Sequence, residues 1–250
     1  MRKLFIGILA VAVVFGMSMG VMAEENDAQI SMEGENSEAY IEQIGENLDA
    51  VIDMIENEGL ADVYQQGESH EANVIFEDLG WSKGSENTAF VEQRDENNEA
   101  LITFGERGSF VNVLQSGESN YAQAVMDGFH AEARILQIGN ESEARILSEG
   151  RQQWSRIQQW DDNSWARIQQ LDGWHHVAHI YQGEEFEGEG NVAHIYQYDG
   201  DTGYDVEGNR ARIDQNGEDN EARIDQFSAK NNASIDQFGE DNEASIIQSD

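Results

Sequence analysis

Toward its C-terminal end the sequence reads NGEDNEARIDQ (residues 216–226), FSAKNNASIDQ (227–237) and FGEDNEASIIQ (238–248). The blocks share the frame Asn-x-Ala-x-Ile-x-Gln. It is filled by Asn220, Ala222, Ile224 and Gln226, then by Asn231, Ala233, Ile235 and Gln237, then by Asn242, Ala244, Ile246 and Gln248. The four fixed positions lie two residues apart. In a strand such positions share one face, whereas a helix would scatter them around its circumference. Each block therefore predicts one strand followed by a turn.

Traced backward on its Ala, the frame recurs with anchors at 28, 39, 50, 61, 72, 89, 100, 111, 122, 133, 144, 155, 166, 178, 193, 211, 222, 233 and 244, which makes 19 units. Fourteen of the 18 spacings are 11 residues, and the longer ones read as enlarged turns. The position two after the anchor is apolar in all 19 units, and the position four after is Gln in 13. Gly45, Gly67, Gly117, Gly139, Gly217 and Gly239 each stand two residues beyond the Gln position, where a turn needs positive φ.

The Gln position also alternates. Even units carry Gln43, Gln65, Gln93, Gln115, Gln137 and Gln159, while odd units carry Met32, Met54, Phe76, Phe104, Met126 and Ser148. The structural period is thus about 22 residues, two strands per layer, and after unit 12 both strands of a layer carry Gln. The expected fold is all-β: a flattened β-solenoid of stacked strand–turn–strand layers, with two parallel sheets facing each other in a cross-β, amyloid-like stack. Ala and Ile fill its thin interior, and stacked Asn and Gln amides satisfy one another along the axis. At ~4.8 Å per layer the stack is roughly 45 Å long.

Composition bounds the rest. Residues 1–23, with Arg2-Lys3, an apolar run from Leu4 to Val14 and Val21-Met22-Ala23, read as a secretory signal peptide. No later segment could span a membrane. The repeat array is expected over residues 24–250. The sequence has no Cys, hence no disulfides, and no Pro, as suits a chain in which nearly every segment pairs. With 50 acidic and 14 basic side chains, loss of Arg2 and Lys3 leaves 12 − 50 = −38. Such a chain is a poor partner for nucleic acid. Glu precedes the anchor in many units, and six of the 11 Arg (134, 145, 156, 167, 212, 223) follow it on the outward face. This arrangement allows Arg to pair with acids beside and above it. The acidic surface makes divalent cations candidate partners through screening.

These residues resemble the curlin repeat. Its core, Gln-x-Gly-x2-Asn-x-Ala-x3-Gln, is met by Gln215, Gly217, Asn220, Ala222 and Gln226, and a close variant occupies Ser234 to Gln248. The resemblance covers nearly all of the mature chain and weakens before Gly84. It implies a secreted curli-type amyloid subunit without enzymatic activity or cofactor. The partners it implies are further copies of the chain, other curlin-type subunits and the outer-membrane secretion machinery. The resulting product is an adhesive biofilm fibre at the bacterial cell surface. The sequence departs from the family in lacking a Gly-rich leader, in having more units and in its acidity. Outward Arg resembles the minor, nucleating subunit. A solenoid that stays monomeric needs capping segments, yet only Ser249-Asp250 follow the last Gln, so open ends that template strand addition are expected.

Two other readings compete: a monomeric extracellular solenoid binding calcium or a surface, and a polysaccharide-acting β-helix enzyme. His175-His176-x-x-His179 has some metal-site character but reads better as an exposed turn, with His194 at the equivalent of His179 on the opposite sheet. Asp199 to Glu207, with Asp201 and Asp205, lacks the ligand spacing of an EF-hand and reads as a solvated acidic turn, as do Glu184, Glu185, Glu187 and Glu189. Trp154, Trp160, Trp165 and Trp174, with outward Tyr181 and Tyr196, read as turn covers or filament contacts before polysaccharide binders.

Overall fold

A computed structural model describes residues 26–33, 37–55, 59–77, 87–105, 108–127, 131–149, 152–171, 175–183, 188–198 and 208–249. The signal peptide, Trp174, Glu184, Glu185, Glu187 and the acidic segment from Asp199 to Glu207 lie outside the described residues.

The first half of the chain forms β1 (Asp27–Glu33), β2 (Glu38–Glu46), β3 (Asp49–Ile55), β4 (Leu60–Glu68), β5 (Glu71–Glu77), β6 (Thr88–Glu96), β7 (Glu99–Phe104), β8 (Phe110–Glu118), β9 (Tyr121–Gln123) and β10 (Met126–Asp127). The second half forms β11 (Glu132–Ile138), β12 (Glu143–Glu149), β13 (Trp154–Gln159), β14 (Trp165–Leu171), β15 (Val177–Gln182), β16 (Gly188–Glu189), β17 (Val192–Tyr198), β18 (Arg210–Glu218), β19 (Glu221–Phe227), β20 (Asn232–Phe238) and β21 (Glu243–Ser249). The first sheet runs β1-β3-β5-β7-β10-β12-β14-β17-β19-β21, with β9 between β7 and β12. The second runs β2-β4-β6-β8-β11-β13-β15-β18, with β20 on the far side of β18 and β16 also paired to β18. All these pairs are parallel, and each strand finds its partner one layer on: Ala28 faces Ala50 and Ala72, while Ala39 faces Ala61 and Ala89. The architecture is the flattened two-sheet solenoid expected from the sequence, with a basic period of 22 residues.

Burial follows the alternation. In β2 the pattern is exposed–buried through Glu38, Ala39, Tyr40, Ile41, Glu42 and Gln43. The core is a row of Ala and a row of Ile or Val from each sheet, almost all fully buried. Small and β-branched side chains suit so thin a space, because a pleated strand packs branched Cβ atoms well.

Nineteen units become twenty-one strands for two local reasons. Unit nine divides into β9 and β10 around Ala124, the one unit with Ala at the Ile position, although Ala124 N still bonds Leu101 O at 2.9 Å. The short β16 arises from an enlarged turn, explained below.

The turns leaving the second sheet are nearly identical. The fourth residue after Gln is left-handed, as in Asn47, Ser119 and Asp241 (φ 55°, 58° and 56°). The Gly two after Gln answers to a neighbour rather than to φ alone. A Cβ on Gly45 would lie 1.7 Å from the Gly67 carbonyl oxygen, and one on Gly217 would lie 2.1 Å from that of Gly239. Successive layers touch backbone to backbone along this row, which leaves no room for a side chain. Asp161 interrupts the row. Its carboxylate reaches the Asn191 amide one layer on, and Gly183 passes within about 3 Å of it. The following turn, from Gln182 to Gly190, is enlarged around that side chain and includes β16.

Candidate functional site: the stacked amide ladders

The second sheet carries one continuous inward row of Gln. Nε2 of Gln43 donates to Oε1 of Gln65 at 3.0 Å, Gln65 to Gln93 at 2.9 Å, Gln93 to Gln115 and Gln115 to Gln137 at 3.0 Å. The row continues through Gln159, Gln182 and Gln215 to Gln237. Each amide also ties its layer together. Gln115 Nε2 lies 3.0 Å from the carbonyl oxygens of Asn120, closing the turn, and Glu99, on the opposite sheet. These side chains are buried, so unmade bonds here would be costly.

The first sheet behaves differently. Its equivalent row is apolar through Met54, Phe76 and Met126, all buried, and passes through Ser148 to Gln170, Gln197, Gln226 and Gln248. From Gln170 onward each Nε2 donates to the next Oε1 at 2.8 Å. The first acceptor of this ladder has no amide before it. Ser155, the single anchor that is not Ala or Val, supplies the missing donor: its hydroxyl bonds Gln170 Oε1 across the interior at 2.6 Å. The second-sheet ladder has no such device. Gln43 Oε1 is buried without a donor among the described residues.

A third row runs along the turn edge. Asn98 Oδ1 accepts from Asn120 N at 3.0 Å, and Asn98 Nδ2 donates to Gly117 O at 2.9 Å. Asn220 repeats this with Asn242 N and Gly239 O. On the other edge Asn231 N donates to Asn209 Oδ1 at 2.9 Å. Sequence reasoning missed two members, His70 and His176, each two residues before an anchor. Nδ1 of His70 accepts from Asn98 N at 3.2 Å and Nε2 lies 3.1 Å from Gln66 O, so the neutral ring with hydrogen on Nε2 copies an Asn amide. Nδ1 of His176 likewise accepts from Asn209 N at 3.0 Å.

This corrects the reading of residues 175–179 as an exposed turn: His176 is fully buried, because the position it fills points inward. Outward His179 packs against Trp154 (ring centroids 5.4 Å apart) and Tyr181. Among the described residues no three His, Cys, Asp or Glu side chains are placed to hold a metal ion. Burial lowers the pKa of His70, and burial reinforced by flanking Arg lowers those of His179 and His194.

Outside, Arg pairs along its own strand, not between layers. Arg134 bonds Glu132, Arg145 bonds Glu143, Arg212 bonds Asp214 and Arg223 bonds Asp225. The register places like over like, Arg134 on Arg156 and Arg145 on Arg167, so an acid above is not available. Such exposed pairs contribute little, ~0–1 kcal/mol each.

A parallel two-sheet solenoid held by axial amide ladders is a structural, fibre-like class of protein, whose repeated surface is its working part. The curlin associated repeat matches residues 207–239 and 217–249. The chain thus carries curlin repeats over its C-terminal layers, which supports its membership of the curlin repeat family, a family of structural amyloid subunits. No curated protein matches it. The matched layers are those in which both sheets carry Gln. In the earlier layers the first sheet substitutes Met or Phe for one of the two Gln residues that the motif requires.

Proposed function

We propose that the chain is a secreted, curli-like amyloid subunit that polymerises end to end at the bacterial cell surface into adhesive matrix fibres. The mature part begins after a signal peptide over residues 1–23 and passes the outer membrane through dedicated secretion machinery. The inward Asn, Ala, Ile and Gln rows are its working residues.

One observation carries this reading, the polarity of the second-sheet ladder. Every Gln donates toward the C-terminal layers, so one face of the stack offers Gln237 Nε2 and the other offers the buried, unpartnered Gln43 Oε1. The interior ladder start at Gln170 is capped by Ser155; Gln43 is not. A second copy stacked in register supplies the missing donor and pairs β20 and β21 with the next β2 and β1.

The test is to release the mature chain from denaturant and follow fibre formation, with ~4.7 Å cross-β diffraction from the product. Seeded growth is expected. A cooperative monomer that neither elongates nor responds to seeds overturns the reading.

A further inference from the structure

In a chain of net charge −36, four strands in succession, β13, β14, β15 and β17, contain no Asp or Glu; every other strand of six or more residues contains at least one. Their outward positions hold aromatic and basic side chains instead. On the first sheet these are Trp165, Arg167, His194 and Tyr196, and Trp165 meets His194 with ring centroids 6.3 Å apart. Arg156 repeats the pattern on the second sheet, 5.9 Å from the Tyr181 ring. The Arg residues in the neighbouring layers are neutralised within their own strands. Arg167 bonds only the neutral Gln169 (3.0 Å), and among the described residues neither Arg156 nor Arg167 has a carboxylate partner.

The opposite condition holds about five layers away on the same sheet. Asp27, Asp49, Glu71 and Glu99 stand in register on β1, β3, β5 and β7, one per layer, with no basic side chain in the row. The outward positions beside them hold Val51, Leu101 and Ile75. Burial and the neighbouring Glu71 charge raise the pKa of Glu99, as expected of carboxylates crowded at the layer spacing without counter-charge. One face of the sheet thus carries an unneutralised acidic row bordered by aliphatic side chains, and further along it an unneutralised Arg bordered by rings.

The geometry points to a second copy of this chain as the occupant of the aromatic–Arg belt, laid side by side with first sheets facing. Two copies running the same way and staggered by about five layers, ~24 Å, set Arg167 and His194 of one against Glu71 and Glu99 of the other. The stagger is about half the length of the stack. In a filament, where copies follow one another, the acidic rows of the first strand then meet the belts of the second and the reverse. The contact is self-complementary and repeats along the fibre by a two-fold screw. It concerns lateral association and does not depend on end-to-end growth.

Charge reversal tests it without disturbing the fold. Arg167→Glu removes no intramolecular ion pair and places a carboxylate between Arg145 and His194 in the register. Glu71→Arg places a cation between Asp49 and Glu99. With the full mature chain, fibre width is measured by electron microscopy and association of the soluble protein by sedimentation velocity. Arg167→Glu is expected to give single fibres at an unchanged elongation rate, at least a tenfold loss of paired ones, and Arg167→Glu/Glu71→Arg to restore pairing. High salt is expected to mimic the single variant.

Pairing unchanged in Arg167→Glu, or not restored by the double variant, overturns the proposal. So does a belt that loses only retention on an immobilised anionic polysaccharide while the copies pair as before. If no fibres form at all, the same variants are read as loss and recovery of a staggered dimer, so the lateral contact and the polymerisation reading fail separately.

Discussion

The two inward rows of this solenoid solve the same packing problem with different chemistry. The second sheet uses Gln in every layer from Gln43 to Gln237, whereas the first uses Met and Phe up to Met126 and Gln only from Gln170. Backbone register does not distinguish them, since both sheets advance one layer per 22 residues wherever no insertion intervenes. An apolar row is tolerant: dispersion and area burial reward any well-filled neighbour. An amide row is directional. Each side chain must give a hydrogen to the layer above and take one from the layer below, which fixes register and marks an end wherever the sequence of donors stops. The first sheet begins its amide row inside the molecule and closes it with Ser155. The second begins at the first described layer and leaves Gln43 Oε1 bare.

The sharpest way to break the comparison is to make the rows exchange roles in mid-stack. Gln115→Leu removes the donor of Gln137, the acceptor of Gln93 and the shared bonds to Glu99 O and Asn120 O. At ~1–3 kcal/mol for each buried group left unsatisfied, a loss of about 3–5 kcal/mol is expected. Met126→Leu in the first sheet changes shape alone and is expected to cost less than ~1.5 kcal/mol. Urea unfolding of the two soluble variants against wild type measures both. Equal losses would show that the Gln row acts only as filler.

A smaller effect is expected at the interior ladder start. Ser155→Ala leaves Gln170 in the condition of Gln43, with a buried amide oxygen and no donor. The expected cost is about 1–2 kcal/mol, with faster hydrogen exchange localised to β14 and β17. An unchanged exchange pattern would mean that ladder starts need no cap, and would weaken the meaning attached to Gln43.

Much of this was readable in the sequence. The alternation of Gln with Met or Phe gave the two-strand layer, because residues stacked at one spacing must suit each other. The residues at the turn edge were readable as turns, but the reason for Gly was not: the obstacle at Gly45 is the Gly67 carbonyl in the next layer, visible only once layers are stacked. Ser155 stood out as an odd anchor, yet its partner Gln170 lies on the other sheet, and a one-dimensional pattern does not say which positions meet across the interior. His70 and His176 carried a legible signal, their place two residues before the anchor, which outweighs residue type because that place always points inward. The pairing of Arg along the strand was missed for a similar reason: repetition stacks Arg on Arg, so the nearest acid is two residues away in the same strand.

The smallest effect separates His70 from the Asn residues whose work it does. In its neutral form His70 accepts from Asn98 N and reaches Gln66 O; a second proton would remove the acceptor and leave a charge in a buried edge. Burial lowers its pKa, partly opposed by the Gln66 carbonyl and the Asp95 charge. Above the ordinary value of 6.5 both folded and unfolded chains hold the ring neutral, and its contribution to stability is intact. As pH falls below 6.5 the unfolded chain takes up the proton first. Stability therefore declines down to the lower folded value, with a slope no steeper than ~1.4 kcal/mol per pH unit for one proton. His179 and His194 shift in the same direction, whereas burial and like charge raise the carboxyls of Asp62 and Glu99, so acid strengthens their layers. Total stability against pH mixes these effects, and His70→Asn separates them. The Asn keeps the row's acceptor and does not titrate, so the difference between wild type and variant is expected to be flat above pH 6.5 and to grow below it, with wild type the less stable. Hydrogen exchange of the Asn98 amide, measured at pH 7 and pH 5.5 in both proteins and corrected for intrinsic rates, reports the same bond directly. Equal protection of that amide at both pH values in wild type would show that the proton reaches His70 without breaking the row.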